Sequence, residues 1–275
     1  MTLQQALTTA LAQGLARIDA QMLLLHTLGR ATGDRAWLIT HDTDTLPPAA
    51  QERFTALCQR RQAGEPVAYL TGTKAFYGLE LQVDARVLDP RPDTETLVDW
   101  ALEVLDGHPA PRLLDLGTGS GAIALALQHQ RPDASVLAVD ASEDALAVAR
   151  ANATRLGLAV QFRHGQWMEG LEGVFDAIVS NPPYIPAADP HLAALTHEPL
   201  QALASGADGL EDLRTLIAQA PAHLKPGGWL LLEHGWDQAD AVSALLRSAG
   251  LEQVQGRKDL AGIVRCSGGR WPTVK

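Results

Sequence analysis

Apolar residues recur at helical spacing through the first seventy positions. Leu3, Ala6, Leu7, Ala10 and Leu11 fall on one face, and Ile18, Met22, Leu23 and Leu25 on another, as amphipathic helices require. Gly29 and Gly33 punctuate this stretch. Helical spacing resumes through Trp37-Leu38-Ile39-Thr40 and, after Pro47-Pro48, through Phe54, Leu57 and Cys58 to Gly64. Residues 1–70 are therefore expected to form an all-helical domain. From Tyr69 to Asp89 the period shortens to two, with Leu79, Leu81 and Val83 alternating against polar positions around Gly78. This predicts a β-hairpin linker over 71–89.

Beyond residue 90, short apolar runs at 113–116, 136–139, 160–162, 177–179 and 229–232 alternate with longer helical patterns. That rhythm predicts an α/β fold, with a doubly wound, mostly parallel sheet over 90–275. The runs 251–254 and 262–266 are too close together for a crossover helix. The last strand is therefore expected to run antiparallel to its neighbour.

Two stretches at the ends of these strands carry chemistry. The first strand leads through Asp115-Leu116-Gly117-Thr118-Gly119-Ser120-Gly121 into a helix at Ala122, and Asp140 ends the second strand. Glycines let the backbone approach a ligand at the carboxyl edge of a parallel sheet, and an acid placed there accepts from ribose hydroxyls, so an adenosine-bearing cofactor is expected. Gly117-x-Gly119-x-x-Ala122 also satisfies the dinucleotide fingerprint, which keeps a NAD enzyme beside a methyl-donor enzyme. Asp115, just before the loop, suits a cationic donor better than a pyrophosphate. The fourth strand runs into Asn181-Pro182-Pro183-Tyr184. Two prolines fix φ and remove two N–H groups, so this turn stops the strand and holds Asn181 and Tyr184 still. Trp167 reads equally as core or as a wall of an adenine pocket.

Charge and composition narrow the partners. The 22 basic and 32 acidic residues give a net charge of −10, which argues against a phosphate backbone and for a protein or small-molecule partner. Cys58 and Cys266 stand far apart, and His164, His191, His197 and His234 lack ligand spacing, so neither a disulfide framework nor a metal site is expected. No apolar run reaches 18 residues and no apolar leader is evident; a cytoplasmic protein without membrane contact is the expectation.

Several stretches together are more specific. Glu65–Gly72, Phe76-Tyr77-Gly78, Pro90–Glu95, Leu232–Trp236 and Asp259–Gly262, with the glycine loop, Asp140 and Asn181–Tyr184, resemble the release-factor glutamine methyltransferases over almost the full chain. These are class I S-adenosylmethionine-dependent methyltransferases. The resemblance implies S-adenosylmethionine as cofactor, held by Asp115, Gly117, Thr118, Gly119, Ser120, Gly121, Asp140, Trp167 and Asn181. It implies a peptide chain release factor as protein substrate, methylated on the glutamine amide of its Gly-Gly-Gln motif. Asn181, Pro182 and Tyr184 would be catalytic, with Pro183 completing the substrate-binding turn, and residues 1–70 would recognise the release factor. Gln166, and Thr196 with His197, depart from the acid and the arginine usual there. A nucleic-acid exocyclic amino methyltransferase would suit the same turn after base flipping, but the acidic balance opposes it. A non-catalytic adaptor is opposed by the intact Asn181 and Tyr184.

Overall fold

Thr2 starts the first helix with a reciprocal pair of bonds: its hydroxyl accepts from the Gln5 N–H, and the Gln5 side chain accepts from the Thr2 N–H. Helix α1 (Leu3–Ala12) is followed by α2 (Arg17–Thr27), α3 (Arg35–Thr40), α4 (Pro48–Gln62) and α5 (Val67–Thr71). The computed structural model describes residues 1–273, divided into two compact units, and these helices with residues 194–197 make the first. Its core joins Leu3, Ala6 and Ala10 of α1 to Leu23, Leu24 and Leu25 of α2 and Phe54 of α4. Ile18 and Ile39 lie outside it, 48% and 74% exposed. Three consecutive buried leucines show why: α2 is covered on more than one side, so a single-face reading misplaces its ends. His197 belongs to this unit and packs a ring nitrogen 3.2 Å from the Ala63 carbonyl.

The period-two reading from Tyr69 is corrected at its start. Residues 67–71 are helical, and Gly72 closes the helix at φ 74°, a left-handed conformation that glycine adopts without strain. Strands β1 (Thr73–Phe76) and β2 (Leu79–Gln82) then form a two-stranded sheet. They are joined by Tyr77 and Gly78 at φ 48° and 77°, as a tight hairpin turn demands. Residues 83–89 carry no strand.

The second unit comprises residues 74–193 and those from Glu198 onward. Strands β3 (Arg112–Leu116), β4 (Ser135–Asp140), β5 (Gln161–His164), β6 (Phe175–Ser180), β7 (Leu224–Glu233), β8 (Glu252–Lys258) and β9 (Val264–Arg270) form one sheet in the order β5-β4-β3-β6-β7-β9-β8. Neighbours are parallel except that β9 runs antiparallel to both β7 and β8. Helices α6 (Glu95–Val104), α7 (Ala122–Gln130), α8 (Glu143–Leu156), α9 (Glu211–Gln219) and α10 (Ala239–Ser248) accompany it. Leu113, Leu114, Ala177, Ile178 and Val179 are fully buried, as central strands covered on both faces must be. Strand order reverses between β3 and β6, the switch point at whose carboxyl edge such sheets bind ligands.

Gly268 of β9 lets α6 sit close to the sheet. A Cβ there would lie 2.6 Å from the Leu231 side chain and 2.8 Å from the Trp100 ring. Among the described residues, no helix is long and apolar enough to cross a membrane.

Candidate active site

The loop after β3 turns back on itself through backbone bonds. The N–H groups of Gly117 and Thr118 both donate to the Val139 carbonyl, at 2.9 and 3.1 Å, so the loop is tied to the end of β4. Gly117 has φ 70°, and a Cβ on it would meet the Trp167 ring at 3.3 Å. Any side chain there would be strained and would crowd the indole. Asp140 accepts from the Gly119 N–H and from the Ser142 N–H, each at 2.8 Å. Burial raises its pKa against the pull of these amides, and its remaining lone pairs can accept from hydroxyls.

Asp115 is placed differently from its neighbours. It lies beneath the loop, fully buried, where Oδ2 accepts from the Thr118 hydroxyl at 2.6 Å and from the Ala124 N–H at 3.2 Å. Burial pushes its carboxyl up to about 7, and Oδ1 has no hydrogen-bond partner among the described residues. A buried carboxylate oxygen left unpaired is costly unless positive charge approaches.

Above the loop lies a cavity of about 290 Å³. Gly117, Gly119, Asp140, Trp167, Asn181 and Pro183 line it together. Thr118, Ser120, Gly121, Pro182 and Tyr184 shape the loop and the turn without lining it. Trp167 has φ 50° and donates its indole N–H to Asp212 at 3.2 Å. A bulky side chain held in the left-handed region marks a position over-determined by its surroundings. Phe76 is buried, and Tyr77 donates its hydroxyl to Asp99 at 2.6 Å; neither lines the cavity.

At the end of β6, Ser180 donates its hydroxyl to the Leu116 carbonyl at 2.7 Å, which ties the start of the Asn-Pro-Pro-Tyr turn to β3. The half-buried Asn181 donates from Nδ2 to the Thr94 hydroxyl at 3.3 Å. Its nitrogen end is engaged and its oxygen end is left to accept. The Tyr184 carbonyl accepts from the Gln238 side chain at 3.0 Å, and its N–H donates to the Leu203 carbonyl at 3.2 Å. Burial raises the Tyr184 pKa, so the ring is a neutral face.

Several contributors escaped sequence reasoning. Arg86, Val87 and Leu88 line the cavity from the segment expected to be hairpin. Asn152 of α8, fully buried, bonds to the Gln82 N–H and carbonyl and to the Ser120 carbonyl, joining hairpin to glycine loop. An asparagine on the apolar face of α8 was the available signal. Arg91, in the Pro90–Glu95 stretch singled out in the sequence, donates from Nη2 to both Glu198 oxygens at 2.9 and 2.7 Å and from Nη1 to Asp89 at 3.2 Å. No group of three His, Cys, Asp or Glu among the described residues could hold a metal ion.

Residues 95–238 match the methyltransferase small domain family and residues 2–72 the PrmC N-terminal domain family. A release factor glutamine methyltransferase of Xylella fastidiosa (strain Temecula1) is 53% identical over 97% of this chain and 98% of its own. Its namesake from Bordetella pertussis is 52% identical over 93% of this chain and 95% of its own. The fold also matches the crystal structure of a methyltransferase from Pyrococcus furiosus, with TM-score 0.54 and 22% identity over 80% of this chain and 98% of that one. With relatives this similar along nearly their whole length, the chain belongs to the release factor glutamine methyltransferase family.

Proposed function

We propose that this protein methylates the side-chain amide nitrogen of the glutamine in the Gly-Gly-Gln loop of peptide chain release factors, using S-adenosylmethionine, and so tunes translation termination. The observation that carries this reading is Asn181. It lines the cavity that Asp140 and Trp167 also line, with its nitrogen bonded to Thr94 and its oxygen free to accept.

The residues of the cavity fit the cofactor. The Trp167 ring offers a flat wall for adenine, Asp140 accepts from ribose hydroxyls, and Gly117 and Gly119 admit close backbone approach. Asp115 lies beneath the loop with Oδ1 unpaired, and a cation bound above the loop would favour its ionised form against the cost of burial. When bound, S-adenosylmethionine supplies a methyl group on a positively charged sulfur.

An amide nitrogen is a poor nucleophile, because its lone pair is delocalised into the carbonyl. Orientation must therefore supply much of the help, worth up to roughly 7–11 kcal/mol in well-aligned systems. In this reading the Asn181 oxygen and the Pro182 carbonyl accept the two hydrogens of the substrate amide, and Tyr184 lies against its plane. Pro182 and Pro183 make the turn stiff, which reduces the ordering lost on binding. As positive charge develops on the substrate nitrogen, the two carbonyl dipoles stabilise it, and its proton then leaves to water.

Residues 1–70 would recognise the release factor, 71–89 would link, and 90–275 would carry the chemistry in the cytoplasm. The match of residues 2–72 to a dedicated N-terminal domain family supports the first assignment. The net charge of −10 favours a protein over a nucleic acid as partner. Incubation with labelled S-adenosylmethionine and purified release factors, followed by peptide mapping, tests the proposal. Label on the loop glutamine supports it; label on another residue, or on added nucleic acid alone, overturns it.

A further inference from the structure

Trp167 is held in place by more than the glycine loop. It has φ 50°, a conformation that is costly for a bulky residue and persists only where the surroundings enforce it. Helix α9 enforces it from both ends. Asp212, in the first turn of α9, accepts the Trp167 indole N–H at 3.2 Å, and Gln219, its last residue, accepts the Met168 N–H at 3.2 Å. From the other side Gly117 faces the ring, where a Cβ would come within 3.3 Å of it.

Of these bonds, only the one to Asp212 reaches the indole. A tryptophan side chain turns about two bonds, and its single N–H is its only polar handle, so an acceptor fixed at that edge restrains both rotations at once. A charged acceptor makes the restraint stronger than a neutral one would. We propose that Asp212 is a positioning residue for the cofactor, whose carboxylate holds the indole in the plane that adenine needs before the ligand arrives; this rests on Trp167 being the adenine wall. A ring free to turn would have to be ordered on binding, at the expense of affinity.

The backbone of Asp212 has a separate task. Its N–H donates to the Ser205 hydroxyl at 2.9 Å, the Ser205 N–H donates to the Ile185 carbonyl at 2.9 Å, and the Leu203 carbonyl accepts from the N–H groups of Tyr184 and Ile185. Residues 203–205 thus lace the start of α9 to the turn after β6. Replacing the Asp212 side chain leaves that lacing in place, because the donor is main-chain. Loss of the carboxylate is therefore expected in cofactor affinity and not in turnover of the loaded enzyme. Asp212 also lines the cavity, where its carboxylate could touch a ligand directly.

A double-mutant cycle read by calorimetry, with S-adenosylmethionine and S-adenosylhomocysteine as ligands, tests the proposal. D212A should weaken both ligands about tenfold, while kcat for intact release factor at saturating S-adenosylmethionine stays unchanged. D212N, whose amide oxygen can still accept from the indole, should recover most of the affinity. W167F keeps a flat ring and removes the N–H, so adding D212A to W167F should cost no further affinity. A D212A variant that binds like wild type, a D212N as weak as D212A, or a D212A loss that is equal with and without the indole N–H would overturn the proposal; the last result would assign the carboxylate to the ligand instead. W167A separates the two claims. Normal affinity in W167A removes the wall itself and the proposal with it, whereas a weakened W167A beside a normal D212A rejects only the positioning role.

Discussion

On the glycine-loop side of the cavity, the bonds that shape the loop stay within one strand–helix–strand step: Asp115 reaches Thr118 and Ala124, Asp140 reaches Ser142 and Gly119, and Gly117 reaches Val139. On the Asn181 side partners come from afar. Thr94 is 87 residues away from Asn181, and Gln238 is 54 residues from Tyr184. A strand, a turn and a helix suffice to hold a ligand that arrives with its own shape. An amide to be turned to one orientation needs groups from several strands and helices at once. Damage to the first side should therefore appear in affinity, and damage to the second in turnover.

The sharpest way to break that division is Asn181→Ala. We expect kcat to fall by about 10²–10³, with S-adenosylmethionine binding intact in calorimetry. A loss of cofactor affinity as large as the loss of turnover would erase the distinction. Asp140→Ala should show the converse, weakening cofactor binding by about 1–3 kcal/mol as ribose hydroxyls lose their acceptor; unchanged affinity would remove Asp140 from the cofactor side. A third measurement concerns what presents the amide. Competition kinetics should find intact release factor methylated faster than a free Gly-Gly-Gln peptide, on the order of tenfold in kcat/KM, since a docked protein uses remote contacts to place its loop. Equal rates would mean that the turn alone selects the substrate.

The smallest effect sharpens the comparison through pH. Asp115 and Glu233, one from each side, are both pushed up to about 7 by burial, from 3.8 and 4.5. Between those limits the folded protein binds more protons than the unfolded chain, so stability declines as pH rises toward 7 and levels off above it. Glu233→Gln should remove one share of that slope. Scanning calorimetry should show the variant gaining a few degrees on wild type near neutral pH, about 1–2 kcal/mol. An unchanged slope would mean that Glu233 is ionised at no expense to the fold.

What could be read from the chain follows the same line. The glycine loop, Asp140, the proline turn and the antiparallel last strand are local patterns, and each was legible. Tyr69–Thr71 was misassigned because a single helical turn is too short to show its period. Arg86–Leu88 gave no sign of lining a cavity, since loops there are shaped by what they pack on. Thr94 and Glu233 lay inside recognisable stretches, yet Thr94 meets its partner Asn181 across 87 residues of sequence. The one hint was an acid closing the apolar run Leu230-Leu231-Leu232, where burial was foreseeable and a partner was required.

Gly268 gives the sheet a mechanical link to this chemistry. Helix α6 rests on β9 through Trp100, at a spacing set by the atoms Gly268 lacks, and Thr94 stands at the head of that same helix. A methyl group added at 268 would meet Trp100 and Leu231 and press α6 outward, with Thr94 as the far end of the lever. Because that methyl group would also lie 2.7 Å from the Leu230 carbonyl of the neighbouring strand, a packing fault there would strain the sheet and the seat of α6 together.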